Sequence, residues 1–320
     1  MEKVRLGKSR SAAVFPKATY SFRHSTRNPT HYPVPTSGRE KNVLRFTTRF
    51  RGSPLGIMLE NAGTTARPKV MVRVYSEAPL SEKRFREVVS ELGFRLEWPE
   101  DYSEFYNAFS GDRLLSPVIG KFRGMRSFCM ESLYEYLMIA ILLQNANVKR
   151  TEKMTLAMLG NYGTLLEFGG KELFCFWAPE KILKVSEGEL RSLKIGYRAK
   201  SFLRASADFL KLSEDEMRGM SDSELKKALL GIYGVGPASL DSIMESVFHR
   251  RNALTVIPPW EAKIYSRLLG IPSASPERIL AEFGRRYGKW KALAAHYLFM
   301  DLAWKHKSKP EDWFAKIMPY

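Results

Sequence analysis

The chain has 320 residues, 44% of them hydrophobic and 27% charged, which is enough apolar material for one large core or two of ordinary size. No run approaches the roughly 20 consecutive apolar residues of a membrane span, and two cysteines, Cys129 and Cys175, exclude a disulfide framework or a four-cysteine zinc or iron–sulfur site supplied by this chain. Lys and Arg number 51 against 34 Asp and Glu, and the resulting +17 puts nucleic acid first among partner classes, ahead of an anionic membrane surface, for which no long basic amphipathic helix is found.

Residues 1–42 hold nine Lys or Arg, two acids and few aliphatic residues. Such a segment buries too little apolar surface to offset its ordering entropy, so a largely disordered basic arm is expected, one that touches a polyanion or serves as an organelle transit peptide. The remainder keeps +10 without it, so the basic balance is not an artefact of the arm. No secretory signal opens the chain, and with so few cysteines an intracellular, reducing compartment is expected, cytoplasm and nucleoid or nucleus.

From residue 43 to 79 the pattern is strand-like. Val43 to Phe50 alternates and is rich in β-formers, Gly52, Pro54, Gly56 and Gly63 punctuate, and Val70, Val72 and Val74 recur on one face. This predicts a small antiparallel β domain over 43–79, able to receive further elements from 80–120. Residues 80–320 read as helix. Ser81 can cap a segment with Phe85, Val88, Val89 and Leu92 at helical spacing, and Tyr136 to Leu143 is apolar enough to be a buried helix. Ser186-x-x-Glu189 and Ser221-x-x-Glu224 have capping-box spacing, and Ser275-Pro276 offers an N-cap with proline at the first helical position. The expected fold class is α+β, a small N-terminal antiparallel β domain followed by a large all-helical domain.

The most informative stretch runs from Leu225 to Met244, where an amphipathic helix meets Gly234-Val235-Gly236 and a second helix starts at Pro237. Two glycines let the backbone turn sharply and approach a ligand closely, and the free amides of the following turn form an anion site that suits a phosphate without reading a base. Taken alone, Gly-x-Gly also describes an ordinary helix–helix corner.

Four segments together carry a resemblance. Leu230 to Leu240 resembles the hairpin of the helix-hairpin-helix (HhH-GPD) DNA glycosylase superfamily. Ile141 to Thr151 resembles that family's helix-to-loop segment with the DNA-wedging residue, Leu193 to Lys200 its Gly-Tyr/Phe-Arg-Ala-Lys segment, and Ile264 to Gly270 the helix after its catalytic loop. Order and spacing agree over about residues 80–305, and the preceding β segment is similar to the AlkA/8-oxoguanine glycosylase branch, which lacks an iron–sulfur cluster.

The resemblance implies a base-excision repair enzyme that extrudes a damaged base, alkylated or oxidised, from double-stranded DNA. It implies backbone binding by Gly234, Val235, Gly236, Pro237, Ala238 and Ser239, with Lys149 and Arg150 on phosphates, and Gln144 and Asn145 filling the vacated stack. Tyr197, Trp260, His296, Tyr297, Phe299 and Trp304 are candidates to stack on the base, with Tyr197, Trp260, His296 and Phe299 the expected pocket set. No metal is expected, although a structural monovalent cation at the hairpin is compatible with the resemblance, and a monomer is expected. The lysine of bifunctional members falls on Ala238, so a lysine-dependent lyase step is not expected. The family's aspartate falls on Pro258 if Arg267-Leu268 is matched, or on Glu261 if Val256 and Pro259 are matched. The first leaves a catalytically inactive DNA- or lesion-binding relative, the second a monofunctional hydrolase with Glu261 as its carboxylate.

Overall fold

The protein is described by a computed structural model covering residues 2–27, 35–127, 129–272 and 275–317. Its architecture is α+β, as the patterning predicts: an antiparallel sheet at the N-terminal side leads into a large, mostly helical domain.

The strands are β1 (Glu2–Arg5), β2 (Lys8–Val14), β3 (Ser37–Glu40), β4 (Val43–Phe50), β5 (Ser53–Asn61) and β6 (Val70–Ser76), with a single helical turn α1 (Phe22–Ser25) between β2 and β3. Five of them make one sheet in the order β2-β6-β5-β4-β3. Val70, Val72 and Val74 are fully buried under helix α2 (Glu82–Arg95), whose Phe85, Val88 and Leu92 face them at helical spacing.

The first 42 residues differ from expectation. Instead of a disordered arm, they supply β1, β2 and β3, and the sheet therefore begins before residue 43. All three are edge strands: β2 pairs only with β6, β3 only with β4, and β1 only with a later strand. An edge strand gains its order from backbone hydrogen bonds on one side and carries charges that discourage further pairing, so its composition imitates disorder. The pairing partners lie far along the chain, Lys8 opposite Ser76 and Glu2 opposite Thr164.

Helices α3 (Ser103–Ala108) and α4 (Leu115–Lys121) follow, then α5 (Leu133–Leu143), opened by a capping box of Ser132 and Glu135, and α6 (Val148–Tyr162). The expectation of helix throughout 80–320 fails at β7 (Thr164–Phe168) and β8 (Lys171–Cys175), a hairpin turning at Gly169 and Gly170, both with positive φ. β7 takes β1 as its parallel partner, so the start of the chain clasps the helical domain.

Short helices α7 (Pro179–Ile182) and α8 (Glu187–Leu190) and a π-helical turn at Arg191–Ile195 lead to α9 (Arg198–Phe209), α10 (Glu214–Gly219), α11 (Asp222–Leu230) and α12 (Pro237–Ser246). The chain ends with α13 (Pro259–Leu269), α14 (Pro276–Tyr287), α15 (Lys291–Ser308) and α16 (Asp312–Ile317). These helices form two cores. One surrounds α5, whose Ile141 it includes, and takes Met158, Phe202, Leu229 and Ile243 from neighbouring helices. The other gathers Phe105, Ile119, Tyr265, Phe283 and Tyr297 around α15. The segment from α12 to α13 crosses between them, and the candidate site is built along it.

Candidate functional site

The hairpin joins α11 and α12. Ser221 and Glu224 close a reciprocal capping box at the start of α11, and Gly234 takes a φ of 91°, a conformation that L side chains rarely adopt. A Cβ there would meet only ordinary contact, 3.6 Å from Ile141, so conformation rather than space demands glycine. Gly236, the N-cap of α12, has no side-chain cap, and the first-turn amides of Ala238 and Ser239 lack intrahelical acceptors. A ten-residue helix thus starts with open N–H groups at the positive end of its dipole.

The loop between α5 and α6 is tied to that turn. The Gln144 side-chain amide donates to the Gly234 carbonyl at 2.8 Å, and Arg198, buried at the start of α9, donates to the Gln144 carbonyl. Asn145 stands exposed with φ 49°, its amide donating to the Tyr197 hydroxyl at 3.1 Å. Tyr197 itself is 48% exposed. Gln144 is therefore a tie between two loops, and Asn145 is the projecting tip. Asn147 caps α6 through the Arg150 amide, which sets Lys149 and Arg150 in its first turn. Both are exposed and have no carboxylate in ion-pair range among the described residues.

Five residues past Gly236, α12 presents Asp241, which is buried. Its carboxylate accepts from the Thr255 amide, from the Thr255 hydroxyl at 2.8 Å and from the Val256 amide at 2.9 Å. These bonds fix the loop that leads into α13 to the same helix that starts at the hairpin turn. Pro258 is the N-cap of α13, Pro259 its first residue and Glu261 its third. The match that puts the family aspartate on Pro258 therefore puts it at the helix cap, while Glu261 lies in the first turn.

Glu261 is half-buried, and burial alone pushes its carboxyl up to about 7; no cation or hydrogen-bond donor offsets that among the described residues. The Tyr265 phenol one turn on is raised well above its ordinary value by burial, then by the negative charge of Glu261 and of Glu245. Glu245 lies one turn after Asp241 on α12, where its carboxylate accepts from the Ser127 hydroxyl at 2.8 Å and sits 3.9 Å from His296 Nδ1 of α15. Ser242 and Ser246 on the same helix meet the Tyr136 hydroxyl from α5.

The expected pocket set does not assemble as one group. Tyr197 touches the Gln144 loop. Trp260 and Phe299 meet edge to face at 6.2 Å, packed with Ile264, Leu302 and Phe314. His296, one turn before Phe299, faces Glu245 instead. Tyr297 is core, bonded to Tyr106 and to the Met125 carbonyl, and Trp304 is covered by His24 and Arg27. Glu245, Ser127 and Tyr136 escaped sequence reasoning. Asp241 and Glu245 stand four apart on one helix, a signal that could have exposed Glu245, whereas nothing local marks Ser127.

No group of three or more His, Cys, Asp or Glu among the described residues could hold a metal ion, and both cysteines are buried free thiols. No described helix is long and apolar enough to cross a membrane. No family model matches the chain. A probable N-glycosylase/DNA lyase of Methanothermobacter thermautotrophicus is 27% identical over 281 residues, covering 81% of this chain and 86% of that one. Among solved structures, a 3-methyladenine DNA glycosylase from Archaeoglobus fulgidus superposes with a TM-score of 0.75 at 20% identity, covering 90% of this chain and 97% of that one. An 8-oxoguanine glycosylase/lyase of Clostridium acetobutylicum bound to double-stranded DNA gives 0.69 at 20% identity, covering 92% and 98%. At such identities the superpositions establish a shared fold.

Proposed function

We propose that this chain, which has the fold of the helix-hairpin-helix (HhH-GPD) glycosylase superfamily in its AlkA/8-oxoguanine-like branch, is a monofunctional DNA glycosylase that releases a damaged base from duplex DNA. The observation that carries the reading is the linkage through α12: one helix offers open amides for a phosphate at its start and, through Asp241, anchors the loop that presents Glu261. DNA held at the first would lie in register with the second.

In the proposed reaction the C1′–N bond of the extruded nucleotide breaks, and a water attacks C1′. Glu261 takes the water's proton and balances the positive charge growing on the sugar. A carboxyl near 7 suits a general base at neutral pH. With Ala238 at the lysine position there is no amine to form a covalent intermediate. Gln144 and Asn145 would support the vacated stack, and Lys149 and Arg150 the backbone. A monovalent cation at the hairpin would draw on backbone carbonyls; that of Gly234 already accepts one bond and keeps a second lone pair. The protein would act as a monomer in a reducing intracellular compartment.

The presence of Pro258 at the α13 cap favours a second reading, a relative that binds lesions without chemistry. Single-turnover base release from duplexes carrying alkylated, deaminated and oxidised bases separates the two. The first reading expects release of at least one base, lowered by about 10²–10⁴ in Glu261→Gln. Salt-sensitive binding with no release from any duplex would favour the second. Release undiminished in Glu261→Gln would remove Glu261 from the chemistry and leave the glycosylase reading standing.

A further inference from the structure

Where the β domain meets the helical domain, the two leave a cavity of about 670 Å³, bounded by the β4–β5 turn, α2, the start of α5, residues 176–180 and the connection from α9 to α10. That volume lies in the range of small-molecule sites, roughly 300–1,000 Å³. The hairpin is elsewhere. Glu135 lines the cavity from the first turn of α5, whereas Gln144, which holds the Gly234 turn, caps the other end of that helix about 14 Å away.

The lining is acidic in a basic protein. Glu87, Glu91, Glu135, Glu180, Glu214 and Asp215 stand against four arginines, in a chain whose net charge is +17. Two of those arginines, Arg95 and Arg218, converge on Glu91 at 2.7 and 2.8 Å. Burial works against the charge of Glu91, but Arg95 and Arg218 hold its carboxyl down at about 2. Glu214 is left with Arg218 at 4.0 Å. Glu135 is only 4% exposed and has no Lys or Arg within ion-pair range among the described residues. Its Oε2 accepts from the Ser132 amide and hydroxyl, and its other oxygen accepts no hydrogen bond among the described residues. Burial pushes this carboxyl up to about 7 against the pull of the Arg95 charge, and burial raises Glu214 as well. Arg95 is shared by Glu91, Glu135 and Glu214, so two arginines serve three acids withdrawn from water. One positive charge is missing.

An apolar wall adjoins these acids. The rings of Tyr134 and Phe209 lie 5.0 Å apart, Trp177 is fully buried, and Leu210 is exposed along the same cavity. We propose that the cavity binds an organic polycation of the polyamine class, one ammonium group meeting Glu135 and Glu214 and the methylene chain lying along Tyr134, Phe209 and Leu210. Glu180 and Asp215, both exposed at the rim, suit a second ammonium group. Ammonium groups supply the missing charge, and the aromatic faces favour a cation with an apolar body over a hydrated metal ion. The site is independent of the glycosylase reading, because it uses neither the hairpin nor α13.

The test is titration calorimetry of the full chain without DNA at pH 8, with spermidine and separately with Mg²⁺, on wild type, Glu135→Gln and Glu214→Gln. Glutamine also serves at the third position of a capping box, so Glu135→Gln keeps the start of α5 and should denature no earlier than wild type. Spermidine should bind wild type at one site per chain, about 10-fold or more tightly than Mg²⁺. Glu135→Gln should weaken spermidine binding about 10-fold, and Glu214→Gln by a smaller factor. Absence of binding, equal affinity in wild type and both variants, or Mg²⁺ bound as tightly as spermidine would overturn the proposal and leave the cavity a solvent-filled seam between the domains.

Discussion

Glu97 and Glu261 are both withdrawn from water, and their surroundings differ in every other respect. Glu97, just past α2, is fully buried and meets Arg251 at 2.5 Å, His249 at 2.7 Å and the Tyr102 hydroxyl. Burial works against its charge, but Arg251, the largest opposing influence, and then His249 hold its carboxyl well below the usual range. Glu261 has burial and nothing to oppose it, and rises to about 7. The first acid fastens the segment between α12 and α13 to the β domain, so it is surrounded by partners. The second has no charged or hydrogen-bonding partner to offset its burial among the described residues. A buried acid with its partners present belongs to the scaffold; one without them waits for something to arrive.

Removing charge at each glutamate should break this contrast most visibly. Glu97→Ala strands Arg251 in the interior and should cost about 3–5 kcal/mol of stability, read by chemical denaturation. Glu261→Gln should leave stability unchanged or raise it at pH 8, because it removes a charge that the fold disfavours. Comparable destabilisation by both would mean that Glu261 is also a scaffold residue.

The pH axis sharpens the same comparison. Glu97 is depressed in the folded state, so its contribution is complete above about 4.5 and is lost as pH falls toward the folded value. Glu261 is raised, so the folded state holds a proton that the unfolded state has released, and stability declines as pH rises from about 4.5 to about 7. Base release should run the other way. The general base must be ionised, so the single-turnover rate should climb about 10-fold per pH unit below 7 and level off above it. A rate flat from pH 5 to 8 would remove Glu261 as the base.

What could be read in the sequence follows the range of the interactions. Ser81, Ser132, Ser221 and Ser275 all cap helices, because a cap is settled within one turn. The hairpin at Gly234 is equally local. The first 14 residues could not be read, since their order depends on Val70–Ser76 and Thr164–Phe168. The β7–β8 hairpin was legible in principle from Gly169-Gly170 between β-rich runs, but helical neighbours on both sides masked it. Glu261 could be nominated by a motif, whereas Glu245 and Ser127 meet only when α12 packs beside the chain at Ser127.

The hairpin and the pocket can be separated by a milder change. Gly234→Ala meets no close atom but must hold φ near 91°, which costs about 1–2 kcal/mol for an L side chain. Duplex affinity should fall about 10-fold, alike for damaged and undamaged DNA, if the turn contacts backbone and not base as proposed. A loss confined to the damaged duplex would place the turn in lesion recognition.

The smallest expected effect concerns two adjacent residues. Gln144→Ala deletes one hydrogen bond to the Gly234 carbonyl and should cost about 0.5–1.5 kcal/mol of stability, with weaker binding to every duplex through the loosened turn. Asn145 is exposed, and its amide bond ends on a half-exposed Tyr197, so Asn145→Ala should leave the melting temperature nearly unchanged. Its loss should instead appear in base release, because a side chain that supports an emptied stack contributes only once the nucleotide has left. If Asn145→Ala weakened the fold and Gln144→Ala weakened only base release, the tie and the tip would be exchanged, and Gln144 would have to let go of Gly234 on meeting DNA.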